Sequence, residues 1–124
     1  MMLALHSPNE AYRRVDFDAR VAGADAQELV SMCFEQLAGS LGTALAAAER
    51  GDNTLKSRSL TRALSAVLAL QMGVSGEAPV AGALRLFYEA ARRTLLDNAI
   101  AFDEGRLAIL RRDVLEIGAA IRST

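Results

Sequence analysis

The chain has 124 residues, enough for one domain with a modest core, and its 52% hydrophobic but only 5% aromatic content is the signature of an Ala- and Leu-rich helical protein. Fourteen basic residues against fifteen acidic ones leave a net charge of −1, so no global field attracts nucleic acid or an anionic membrane. A single cysteine, Cys33, excludes an internal disulfide and fits a reducing compartment.

The start, MMLALHSPNE, has too short an apolar run and no basic region before it, so it is not expected to be a signal peptide. No uninterrupted apolar run approaches a membrane span, which predicts a cytoplasmic protein with no membrane insertion. The first 24 residues differ from the rest. Val15 to Val21, VDFDARV, alternates apolar and polar positions, the period of an extended segment. With no sheet to join, residues 1–24 are expected to form an arm across the surface of a bundle, anchored by Tyr12, Val15 and Phe17. The bundle itself is assigned to residues 25–124.

Helix signals then follow in order. Asp25 with Glu28 three positions on is a capping-box-like start to a helix running to about Arg50, with Gly51 placed to end it. Asp52 or Asn53 can cap a second helix carrying Leu60, Leu64, Val67, Leu68 and Met72. Gly73 to Pro79 is a loop, with Pro79 in the first turn of a third helix that carries Val80, Leu84, Phe87, Tyr88, Ala91, Leu95 and Ala99. Asp103 can cap a fourth, where Leu107, Leu110, Val114, Ile117 and Ile121 keep 3-4 spacing. Four helices of about 20 residues with short connections predict an all-α, antiparallel, up-down four-helix bundle.

Two stretches lack charge altogether: Leu37 to Ala48, LAGSLGTALAAA, and Ala63 to Gly76, ALSAVLALQMGVSG. A helix that is small or apolar all round is usually covered on more than one side. One bundle of this size is not expected to cover both, so a second copy, the arm or a partner helix should lie on part of them. The alternative is an Ala-rich bundle of no special purpose that dimerises; thirteen Arg against Lys56 alone fits such a compositional bias.

Candidate chemistry is thin. His6 is the sole histidine and lies in the arm. One His and one Cys build no metal site, and no carboxylate spacing suggests one. Cys33 falls on an apolar stripe with Leu29 and Leu37 and reads as a core thiol. The acids Glu28, Glu35, Glu49, Asp97 and Asp103 suit helix ends and polar faces. Gly39 and Gly42 lie within a helix and form no phosphate loop. Arg13–Arg14, Arg92–Arg93 and Arg111–Arg112 fall on three elements without interleaved aromatics, unlike a nucleic-acid stripe. No catalytic residue, metal or cofactor is expected.

The order of these features resembles the flagellar secretion chaperones of the FliS type. Tyr12 and Val15 precede a short extended stretch. A helix then opens with Glu28 and Leu29, followed by Met32, Phe34 and Glu35. Gly51-Asp52 forms the turn before the second helix. Ala81, Leu84, Tyr88 and Glu89 match the third-helix motif, and Asp103, Leu107 and Val114 match the fourth. The resemblance spans about residues 11–121. The chain departs from the pattern at Phe34, where Tyr is common, at Gln36, where Gly is common, and at Ala90, where a second aromatic is usual; a C-terminal aromatic is also absent.

The resemblance implies a cytoplasmic export chaperone that binds the C-terminal segment of flagellin, prevents premature polymerisation and serves the flagellar export gate. The N-terminal arm suggests a further hypothesis, that Tyr12, Val15 and Phe17 occupy part of the groove in the free protein until flagellin displaces them. The residues expected to touch the partner are Tyr12, Val15 and Phe17 in the arm and Leu60, Leu64, Val67, Leu68 and Met72 on the second helix. On the third and fourth helices they are Leu84, Phe87, Tyr88, Ala91, Leu95, Leu107, Leu110 and Val114. Core and groove use the same side chains, so pattern alone does not divide them. The competing reading is a non-catalytic homo-oligomeric bundle with a regulatory or structural role.

Overall fold

The computed structural model describes residues 25–74, 76 and 79–123. They form four helices and, among the described residues, no strand: α1 (Ala26–Glu49), α2 (Asn53–Gly73), α3 (Pro79–Ile100) and α4 (Glu104–Arg122). Tyr12, Val15, Phe17 and the rest of the expected arm lie outside the described residues.

The helix boundaries follow from local chemistry. The carboxylates of Asp25, Asp52 and Asp103 each accept from the backbone N–H three residues on, at 2.8, 3.0 and 3.1 Å. Each satisfies a donor that the first turn would otherwise leave open. Of the two candidates before α2, Asp52 is the cap and Asn53 the first helical residue. Gly51 has φ +73, a left-handed conformation cheap only for glycine, and so ends α1 within a three-residue turn. Pro79 opens α3, where its missing N–H has no helical partner to lose.

The four helices make a bundle in which α1 touches α2 and α4, and α3 touches α2 and α4. The packing is uneven. α1 and α2 meet most extensively, and α3 and α4 least. The α1–α2 contact is made of small buried residues, Ser40, Ala44 and Ala47 from α1 with Ser59, Ala63 and Ala66 from α2, which let the two backbones approach closely. The volume that these residues do not supply comes from Phe34 and Tyr88, whose rings lie 6.1 Å apart and bridge α1 to α3 through the core. Gly118 of α4 lies against Phe34, where a Cβ would stand at an ordinary packing distance of 3.5 Å from the aromatic side chain.

These contacts correct the expectation for Leu37 to Ala48. Within that stretch only Gly39 is exposed. The bundle's own helices cover the uncharged side of α1 because small side chains bring α2 and α4 close enough to do so. By length and composition α1 is also apolar enough to cross a membrane, against the expectation that no segment approaches a span. In the fold its Leu37, Leu41 and Ala44 are fully buried in the bundle core.

Two further differences concern which side of a helix faces inward. On α3 the buried stripe is Ala81, Tyr88, Ala91, Leu95 and Asn98, while Val80 and Ala99, expected on it, are exposed. A step of one residue turns a side chain by about 100°, enough to move it from core to water. Asn98 takes the inward place and is the buried polar residue sequence reading missed. It donates to Thr94 O at 2.9 Å and accepts from Asp103 N at 2.7 Å, tying the end of α3 to the cap of α4. Nearby, Lys56 at the start of α2 sits 4.8 Å over the ring of Phe102, fastening that helix to the same turn.

Candidate partner-binding surface

Among the described residues, two apolar surfaces matter for binding. The first lies on α2, where Ser65, Leu68, Ala69 and Met72 face solvent at helical spacing with no charge among them. The outer side of Ala63 to Gly76 therefore keeps the uncovered character that its sequence suggests. Met72 is 87% exposed, an unusual state for a large apolar side chain that is one of a group.

The second is a groove between α3 and α4, the pair that pack least. It holds about 200 Å³, with Phe87, Ala90, Ala91 and Thr94 on one wall and Arg106, Ile109, Leu110 and Asp113 on the other. Phe87 is half-buried and packs its ring edge-on against Tyr88, which fixes one wall. Ala90 and Ala91 carry no bulk, so the wall beside them is low. Ile109 is 52% exposed and forms the lip on α4. Leu86, Leu96 and Ile100 are also exposed on α3, on sides of the helix turned away from the groove wall.

Polar groups mark the rims. Arg106 bonds Asp97 at 3.2 Å and the Thr94 hydroxyl at 3.4 Å, spanning α4 to α3. Asp113 pairs with Arg112 at 3.5 Å on its own helix. Glu89 accepts from Gln71 of α2 and from Arg92, both at 3.3 Å, and faces Arg93 at 4.0 Å. The bond and charge of Arg92, helped by Gln71 and Arg93, hold the Glu89 carboxyl below the usual carboxylate range.

The expected contact residues divide by burial. Leu60, Val67, Tyr88, Ala91, Leu95, Leu107, Leu110 and Val114 are buried. Leu64, Leu84 and Phe87 are partly buried and pack against the core, and Leu68 and Met72 are exposed. Phe87, Ala91 and Leu110 also line the groove. Sequence reading missed Ala90, Thr94, Arg106, Ile109 and Asp113. The signal for Ile109 was its place beside Leu110, one step outside the buried stripe of α4.

No group in the described residues is poised for chemistry. Among them no cluster of His, Cys, Asp and Glu could hold a metal ion. Burial pushes the Cys33 thiol up, so at neutral pH it is protonated and a poor nucleophile. Tyr88 is pushed up to about 12, first by burial and then by Cys33, and stays neutral.

The described residues form an all-helical bundle with an open apolar groove. The sequence model of the flagellar protein FliS family matches residues 8–121, nearly the whole length, and the chain belongs to that family of flagellar chaperones. No curated protein matches it.

Proposed function

We propose that this chaperone binds the C-terminal segment of flagellin in the cytoplasm, blocks its premature polymerisation and delivers it to the flagellar type III export apparatus, with a component of the export gate as a second partner and no catalytic activity of its own. The observation that carries the reading is the apolar groove between α3 and α4 on a member of this family. A flagellin segment that is amphipathic would lay its apolar stripe there and order on contact. The exposed side of α2 around Leu68 and Met72 gives a wrapping segment a second place to rest. Among the described contact residues, Leu68 and Met72 are exposed and Phe87 lines the groove, so a partner can touch them without rearrangement. The buried ones act from beneath by setting the groove's shape.

We also read the bundle, residues 25–124, as up-down. Arg106 near the start of α4 meets Asp97 near the end of α3, and Phe34 in the first half of α1 meets Gly118 near the end of α4, as antiparallel neighbours would. Residues 1–24 are read as a separate arm whose Tyr12, Val15 and Phe17 compete with flagellin for apolar surface. Deleting residues 1–20 is expected to raise flagellin affinity; unchanged or weaker binding would remove this role.

Titration calorimetry with the C-terminal segment of flagellin from the same organism tests the main reading. Tight binding with a large negative heat-capacity change is expected. Absence of heat and of co-elution would favour the second reading, a homodimer joined through the uncharged side of α2, whose exposed Leu68 and Met72 are the observation in its favour.

A further inference from the structure

The α3–α4 groove has unlike charges at its two ends. Arg106 and Asp113 both line it from α4, seven residues apart and so on the same side of the helix, about 10 Å from each other along its axis. Between them the floor is apolar, formed by Phe87, Ala90, Ile109 and Leu110. We propose that Arg106 and Asp113 set the direction and register of a helix lying in this groove, Arg106 pairing with an acidic side chain and Asp113 with a basic one about seven residues away on the same face of that helix. The inference rests on reading the groove as the seat of a flagellin segment.

Two observations and one physical argument support it. The spacing of the two charges equals two helical turns, which a bound helix lying alongside α4 matches with residues seven apart; an extended chain would need only about three residues to cover the distance. The partners these groups now hold are half or more exposed at their side chains, with Asp97 at 50% and Arg112 at 65%, so exchange for a better placed partner costs little. A helix filling the groove displaces water from between the two ends, and charge pairs strengthen as water leaves. Entry in the opposite direction brings like charges together, and so is disfavoured. The apolar floor accepts a ridge in either direction and cannot by itself choose.

Double-mutant cycles on the flagellin complex test this. The flagellin C-terminal segment is titrated into the full-length chaperone and its Arg106→Gln and Asp113→Asn variants. Each acidic residue of the segment is then replaced by Gln, and each basic residue by Gln, in turn. Neither chaperone variant disturbs the α4 cap, since Asp103 receives its bond from the backbone N–H of Arg106; thermal melts confirm that both are folded. Each variant is expected to weaken binding roughly threefold to tenfold. Arg106 should couple to one acidic residue of the segment and Asp113 to one basic residue, six to eight positions apart. Wild-type affinity in both variants overturns the inference while leaving the chaperone reading intact. Couplings spaced three or four residues apart, or to residues of one sign, overturn it as well. If the wild-type chaperone fails to bind the segment, the chaperone reading and this inference fall together.

Discussion

A Cβ built on Gly42 of α1 stands 3.1 Å from Nε of Arg111 on α4, so the glycine is the space in which the guanidinium stem lies. Gly39, one turn earlier, has nothing within 4 Å of the same position and is exposed. Both glycines sit inside a helix, where alanine is favoured by about 1 kcal/mol. Gly39→Ala is therefore expected to stabilise the bundle by about 0.5–1 kcal/mol, and Gly42→Ala by less or not at all. Denaturant midpoints of the two variants check this. Adding Arg111→Ala to Gly42→Ala should recover the missing gain, and equal midpoints for the two single variants would contradict the contact.

Asn98 holds the turn between α3 and α4. Asn98→Ala leaves the Asp103 N–H without its acceptor beside a buried position, a loss of about 1–3 kcal/mol. Hydrogen exchange on the variant should rise first at Asp103 and in the opening turn of α4. A uniform change along the chain would mean that the bond has no local role.

Tyr88 makes stability depend on alkaline pH. Its folded pKa is raised to about 12, above the ordinary tyrosine value near 10, because the core disfavours the phenolate. Folding thus favours the protonated form. The contribution is complete below about pH 10 and is lost as pH rises towards 12. Tyrosinate absorbance in a Tyr12→Phe variant, which leaves Tyr88 as the sole tyrosine, should titrate near 12. Tyr88→Phe should flatten the fall of the melting temperature over that window.

Ile109 separates binding from folding. It is half-exposed at the lip of the groove, so Ile109→Gln should leave the melting temperature within a degree or two. On the proposed function it should weaken flagellin binding by about 1–2 kcal/mol, roughly tenfold, through lost apolar contact. Unaltered affinity would place the flagellin segment elsewhere, with the side of α2 at Leu68 and Met72 the next surface to vary.

What could be read from the sequence was what short-range chemistry decides. Asp25, Asp52, Asp103, Gly51 and Pro79 act on groups within a few residues, and all five do what their positions predict. Long-range choices were not legible. Ala44 and Ala63 look alike whether the chain that covers them is a neighbouring helix or a partner, and here it is a neighbouring helix. Val80 and Ala99 were expected inside and face water because each lies one step from a buried neighbour, Ala81 and Asn98, and the buried amide of Asn98 gains two hydrogen bonds there. The groove was hidden for a related reason. It arises from how little α3 and α4 touch, and no local pattern records a distance between helices.

The close seam between α1 and α2 bears on how the molecule is made. The two helices are consecutive and joined by three residues, so their pairing closes a short loop and belongs to the fast, local part of folding. They also leave the ribosome before α3 and α4. A nascent chain can thus complete its hairpin of small residues first and offer it as a template on which the later pair settles. The walls of the groove are then the last part of the chaperone to be built, and the part held least tightly by the rest.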